Sequence, residues 1–226
     1  MLKKFIKSIT VTLTLKLGAT RIGRVIMETL LNQAMDRSIK VFHKDIELIF
    51  SVPNPLTSWR ASTFSDKEPE TLEWIDNMET GSILWDIGAN VGLYSIYAAK
   101  SVNATVFSFE PSIFNLELLG RNICNNKVDK NISIVPIALS NTNGFNFMRH
   151  TTMGWGGALS GFGTEINQDG NKLNSIYQYK TLGFKPDDLL KTDILIQPDH
   201  IKLDVDGIEH LILAGSQKIL KHTKSI

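Results

Sequence analysis

Ile83-Leu84-Trp85-Asp86-Ile87-Gly88-Ala89-Asn90-Val91-Gly92 is the stretch on which the reading of the fold turns. Ile83 to Ile87 is a short apolar run of strand length, and the residues from Leu93 to Lys100 have a helical pattern. Between them lie an acidic residue near the strand end and two glycines. Glycines let a backbone approach a ligand and take up conformations that a side chain would block. The helix that follows offers free N–H donors to a carboxylate or phosphate. A strand, glycine turn and helix in this order predict a nucleotide-type site at the carboxyl end of a strand.

Reading outward, the same unit recurs. Thr105 to Phe109 predicts a second strand with a helix over Ile113 to Asn125, and Ile132 to Ala138 a third strand. Ile201 to Val205 predicts a fourth, followed by a helix from about Glu209 to Leu220. Alternation of this kind predicts an α/β fold, with a doubly wound parallel sheet and helices on both faces. The sixty residues between strands three and four are too many for a structureless connection, so an insert over 141–200 is expected. Its predicted strands are Phe145 to Met148 and Ile176 to Thr181, with a short helix over Pro186 to Leu190. Before the core, Arg21 to Arg37 carries an amphipathic stripe through Ile22, Ile26 and Leu30, and Val41 to Val52 reads as a hairpin ended by Pro53 and Pro55. Ser65 to Met78 reads as a helix capped by Ser65 with Glu68 three residues on. Residues 1–60 are thus expected to form a basic helical and hairpin segment, and 61–226 the core.

Composition sets outer bounds. The chain has 226 residues, 42% hydrophobic and 21% charged, which excludes disordered, collagen-like and coiled-coil classes. One cysteine, Cys124, excludes an internal disulfide and fits a reducing, cytoplasmic compartment. The net charge of +1 hides an asymmetry: residues 1–60 carry ten basic and four acidic side chains, and residues 61–226 fourteen and nineteen. A basic head can meet an anionic membrane surface or be a solvated helix face. The opening MLKKFIKSITVTLTLKLGATRIG is interrupted by Thr10, Thr12, Thr14 and Lys16, too polar for a signal peptide or a spanning helix. Nothing in the pattern suggests nucleic-acid binding, and self-association is left open.

The chemistry concentrates at three strand ends. Counted from Gly88, the G-x-G-x-x-G dinucleotide fingerprint fails at Asn90 and at Leu93, which argues against a nicotinamide-dependent oxidoreductase, the enzymatic alternative. A non-catalytic cofactor-binding or membrane-associated protein is the other alternative. Glu110 closes strand two, 22 residues beyond Gly88, where an acid can accept hydrogen bonds from ribose hydroxyls or cap the next helix. Strand four ends in Asp204-Val205-Asp206-Gly207-Ile208-Glu209-His210. Asp204 and Asp206 would share a side if the strand continued, and with Glu209 they could act as a general-base pair, hold a divalent cation, or position a cofactor and cap a helix. His210 is a further proton acceptor. In the insert, Trp155 could stack on a sugar or pack, and His150 reads as a surface histidine. Trp59, Arg60, Glu68 and Glu70 could close the pocket from the amino-terminal side.

The D-x-G-x-N-x-G turn resembles motif I of the S-adenosylmethionine-dependent methyltransferases. Taken in order, WDIGANVGLYSIYAAK, FSFEPSIFNLELLGRNI, PIALSN, TLGFKPDDLL and IKLDVDGIEHLIL resemble the FkbM family of those enzymes over about Glu68 to Leu220. The resemblance implies a Rossmann-like class I methyltransferase fold, S-adenosylmethionine as cofactor, and a hydroxyl acceptor on a sugar, polysaccharide or glycosylated small molecule. It implies cofactor contacts at Asp86, Gly88, Asn90 and Gly92, with Glu110 on the ribose and Ala138 to Ser140 near the adenine. Asp204 and Glu209 carry over to the family's D-V-E-G-x-E, and Asp206 replaces its more usual Glu. A metal is not assigned. The chain stops at Lys224-Ser225-Ile226, which resembles the start of a fifth strand, so the sheet is expected to lack its last three strands and to leave strand four as an edge.

Overall fold

In the computed structural model, residues 2–166, 169–192 and 195–226 are described. Helices α1 (Leu2–Gly18) and α2 (Arg21–Met35) lead into an antiparallel hairpin, β1 (Ser38–His43) and β2 (Ile46–Ser51). Then come α3 (Pro55–Ser62), α4 (Phe64–Lys67) and α5 (Pro69–Asp76). The core units follow as β3 (Ile83–Ile87), α6 (Leu93–Ser101), β4 (Thr105–Phe109), α7 (Ile113–Asn126) and β5 (Ile132–Val135). The insert contributes β6 (Ala138–Leu139), β7 (Gly144–His150), β8 (Gly161–Phe162), β9 (Tyr177–Phe184) and α8 (Pro186–Leu189). β10 (His200–Leu203) and α9 (Glu209–Ala214) complete the order.

β10, β3, β4 and β5 form one parallel sheet in that spatial order, so the chain reverses direction across the sheet between β3 and β10. Period-two alternation gives each strand two buried faces. Leu84 and Val106 face α5, α6 and the hairpin residues Leu48, Phe50 and Val52. Trp85, Ile87, Phe107 and Phe109 face the insert and α9, where Met148, Phe162 and Ile212 cover them. The hairpin is held to α7 by two asparagines one turn apart. Asn122 Oδ1 accepts the Ser51 N–H at 2.7 Å and Asn126 Oδ1 accepts the Ile49 N–H at 2.9 Å. These bonds satisfy strand-edge donors that would otherwise be buried unpaired.

Four expectations are corrected. The third strand ends at Val135, because Pro136 has no N–H to continue the ladder. Ala138 and Leu139 instead pair in parallel with Gly183 and Phe184 of β9, in a second sheet ordered β6-β9-β7-β8. Ser65 to Met78 is two helices, broken where Glu68 leaves the helical conformation (φ −139°, ψ 65°) before Pro69, and Ser65 lies inside α4 instead of capping it. The capping box is at Asn54 and Thr57, with Pro55 at the first helical position of α3. The helix after strand four ends at Ala214, and only a 3₁₀ turn over Ile219–Lys221 follows. Beyond it, Ser225 bridges in parallel to His200, so the outer side of β10 has a partner there.

Candidate functional site

The ends of β3, β4 and β10 meet at one edge of the sheet. Asp86 lies on the α6 face of β3 and is 1% exposed. Its Oδ2 accepts a 2.5 Å hydrogen bond from Ser95 Oγ, itself 2.7 Å from Ser108 Oγ of β4. Its Oδ1 has no hydrogen-bond partner, and Lys202 Nζ on the neighbouring strand is 3.8 Å away. Burial raises the Asp86 carboxyl above the ordinary carboxylate range, with Lys202 acting against the shift.

Gly88 has φ +85°, and a Cβ there would lie 1.9 Å from the Asp204 carbonyl oxygen. Only glycine allows the β3 and β10 loops to pass this closely. Asn90, at φ 52°, turns its N–H onto Glu110 Oε2 at 2.8 Å, and the Ser112 N–H reaches Oε1 at 2.7 Å. Glu110 is therefore fixed at both oxygens. It is 5% exposed, and burial pushes its pKa up to about 7 even though the two backbone donors favour the ionised form.

A cleft of about 580 Å³ opens between Glu110, Ile137 and Ala138 on one side and Asp204, Asp206 and Ile208 on the other. Ile87 and Phe109 line it too, as do Gly157, Ala158 and Ser160 of the insert. A second cleft, about 470 Å³, lies on the other side of the Gly88–Asn90 turn, with Arg60, Lys67, Glu68, Tyr94 and Lys202 in its lining beside Phe64, Val91 and Leu93. Asp204 borders both. Tyr94 donates to Glu68 Oε2 at 2.8 Å, and Lys202 Nζ sits 4.9 Å from the Tyr94 ring centroid and 3.4 Å from Asp204 Oδ2. Burial raises the Glu68 carboxyl, but the Lys67 ammonium and the Tyr94 hydroxyl outweigh it and hold the group below its usual value.

The insert segment is tied over the clefts. Asn54 Nδ2 donates to the Trp155 carbonyl at 3.0 Å and Arg60 Nε to that of Gly156 at 2.8 Å. Asn90 and Asn115 both donate to the Gly157 carbonyl, and Asn115 Oδ1 accepts the Gly156 N–H. From the far side, Asp206 Oδ2 accepts the Leu159 N–H at 2.7 Å.

The structure thus places Gly88, Asn90, Glu110 and Ala138 on one cleft, with Asp86 buried beside it. Gly92, at φ +84°, instead faces α7, where a Cβ would meet Leu119 Cδ1 at 2.4 Å. Asp204 and Asp206 both line the first cleft but are not a same-face pair on a continuing strand. β10 ends at Leu203, and positive φ at Asp206 and Gly207 turns the chain, so Asp204 points to Lys202 and Asp206 to the insert. Glu209 folds back to accept the Val205 and Gly207 N–H groups, and His210 is exposed. Among the described residues, no three His, Cys, Asp or Glu side chains converge as metal ligands. His150 is not a surface residue: it is 1% exposed, stacked on Tyr179 and edge-on to Phe114, and burial lowers its pKa. Glu68 stands at the N-cap position of α5, but its side chain makes no capping hydrogen bond. Sequence reasoning missed Lys202, Tyr94, Asn54 and Asn115. Of these, Lys202 left a signal as a lone cation in the apolar strand Ile201-Lys202-Leu203, and Asn54 left one as a cap before Pro55.

A model of the FkbM methyltransferase domain matches residues 86–225, from the buried aspartate of β3 to the bridge beside β10. The chain belongs to the FkbM methyltransferase family. This removes the oxidoreductase alternative. The FkbM chain is 22% identical over 172 residues to a hexuronic acid methyltransferase, AglP, of Haloferax volcanii, an alignment covering 76% of this chain and 65% of that relative's length. Among solved structures, it is similar to a precorrin-6y C5,15-methyltransferase from Geobacter metallireducens (TM-score 0.40, 16% identity, 70% of this chain and 56% of that one). It is also similar to the C-terminal domain of the Rhodobacter capsulatus precorrin-6Y C5,15-methyltransferase (TM-score 0.37, 14% identity, 74% and 56%).

Proposed function

We propose that this FkbM-family chain binds S-adenosylmethionine and methylates a hydroxyl of a sugar-bearing acceptor. The observation that carries the reading is Glu110, a buried carboxylate whose two oxygens are locked by backbone N–H groups and which lines an apolar cleft. Such a group suits the paired hydroxyls of a ribose, and the slot between Ile137, Ala138 and Ile208 suits a planar base. The second cleft mixes cations (Arg60, Lys67, Lys202) with carboxylates (Glu68, Asp204), which suits a zwitterionic amino-acid tail. Buried Asp86 Oδ1 and Asn90 Oδ1, both without partners, mark unspent hydrogen-bonding capacity beside the Gly88 turn.

S-Adenosylmethionine supplies a methyl group already activated on a sulfonium. What falls to the protein is alignment, exclusion of water and removal of the acceptor proton. Asp204 is the proposed proton acceptor, because its side chain is 61% exposed and borders both clefts. Lys202 holds it in place. Asp206 and Glu209 act as positioning residues, the first through the insert and the second through the loop backbone. The hexuronic acid methyltransferase relative makes acidic sugars the acceptors to try first.

Titration calorimetry of S-adenosylhomocysteine tests the reading. Saturable binding to the wild type, loss in Glu110→Ala and retention in Asp204→Asn are expected, with turnover on uronic-acid acceptors lost in both variants. A wild type that melts cooperatively and does not bind overturns the proposal.

A further inference from the structure

The α1–α2 hairpin lies outside the cores described above. Of α2, only Gly23 is buried, where a Cβ would meet the Leu17 carbonyl oxygen at 1.8 Å, so the glycine lets the two helices touch. Most of the described apolar side chains of the two helices are exposed. Phe5, Ile9 and Leu13 form a row at four-residue spacing on α1, and Ile22, Ile26 and Leu30 form another on α2. Leu13 is 61% and Ile22 75% exposed. Four threonine hydroxyls of these helices are already satisfied within them. Thr10, Thr12, Thr14 and Thr29 each donate to the carbonyl four residues back, at 2.8–3.1 Å. These hydroxyls need no water, which lowers the cost of taking them into an apolar medium.

Charge selects the occupant. Residues 1–35 carry six basic side chains and one acidic, a net of +5, whereas residues 61–226 carry −5. A second copy would bring +5 against +5, while an anionic bilayer attracts the hairpin and repels the body. No helix among the described residues is long and apolar enough to cross a membrane. We propose that α1 and α2 lie in the plane of an anionic lipid surface, apolar rows inward, and hold the methyltransferase body at the membrane.

The test is sedimentation of the full chain with phosphatidylcholine vesicles, with and without phosphatidylglycerol. Expected is partitioning at least about tenfold stronger on the anionic vesicles, since each basic side chain near such a surface adds to binding. Replacing Lys16, Arg21 and Arg24 by Gln should remove most of that preference and its salt dependence. Leu13→Glu with Leu30→Glu should abolish partitioning while leaving the circular-dichroism melt unchanged. Equal pelleting with both vesicles, no pelleting, or pelleting insensitive to both variants overturns the proposal. So does concentration-dependent self-association, without lipid binding, that Leu13→Glu and Leu30→Glu remove.

Discussion

Gly81 and Gly88 share nearly the same backbone, at φ +84° and +85°, but have opposite surroundings. A Cβ at Gly81 would find nothing within 4 Å, whereas one at Gly88 would lie 1.9 Å from the Asp204 oxygen and 2.9 Å from its carbonyl carbon. Gly81→Ala should therefore cost only the left-handed backbone penalty, about 1–2 kcal/mol. Gly88→Ala adds overpacking against backbone. Restoring an ordinary contact needs a shift of roughly 1.5 Å between the β3 and β10 loops. Such strain typically adds about 1–3 kcal/mol, for a total of roughly 2–5 kcal/mol. Because the clash falls on Asp204 itself, the displaced loop should also take Asp204 and Asp206 out of register with the clefts. Urea unfolding of the two variants gives the stability difference, and S-adenosylhomocysteine calorimetry gives the effect on the site. Equal destabilisation by the two substitutions, with ligand affinity intact in Gly88→Ala, would refute the close crossing of the loops.

Glu110 makes the ligand-free protein sensitive to pH. Its folded-state pKa, pushed up from 4.5 to about 7, means that the folded state disfavours the ionised form. Stability is thus lost as pH rises from about 4.5 to about 7, by at most about 3 kcal/mol. Glu110→Gln should lack this loss, so thermal melts of wild type and variant should diverge between about pH 4.5 and pH 7; a constant difference would falsify the assignment. Asn115→Ala removes both bonds to Gly156 and Gly157, a cost of about 1–3 kcal/mol. Hydrogen exchange should speed up over residues 154–160 and stay unchanged in β3 and β4, and uniform acceleration would mean that Asn115 supports the core instead of the insert.

The parallel sheet was legible because its strands are short apolar runs with sharp ends. Ile83–Ile87 and Thr105–Phe109 are the bounds read from the sequence. Proline caused two of the misreadings, since it either terminates or begins an element. Pro55 begins α3 behind Asn54, while Pro69 and Pro136 break a helix and a strand that periodicity alone runs through. The Asn54-Pro55 pair with Thr57 was a usable capping signal. The partners of the insert were not legible. Asn54 and Trp155 are 101 residues apart, and nothing local in either announces the other. His150 was misread because a polar residue at the end of a short strand looks solvated until the Phe114 and Tyr179 rings are placed beside it.

All six hydrogen bonds that tie the insert over the clefts end on its main-chain atoms: the carbonyls of Trp155, Gly156 and Gly157, and the N–H groups of Gly156 and Leu159. The anchoring side chains belong to the scaffold. The side chains of Trp155, Ala158 and Leu159 can therefore be exchanged without loosening the attachment, provided the loop keeps its path, whereas Ser160 Oγ is tied to His150 Nδ1 at 3.2 Å. For directed evolution this makes Trp155, Ala158 and Leu159 interchangeable positions, while Gly156, at φ +75° with a Cβ 2.9 Å from Thr57 Cγ2, and Gly157, with a Cβ 2.5 Å from Thr152 Cγ2, stay glycine. Acceptor preference can be searched there in a small library, while Asn54, Arg60, Asn90, Asn115 and Asp206 stay fixed as its frame.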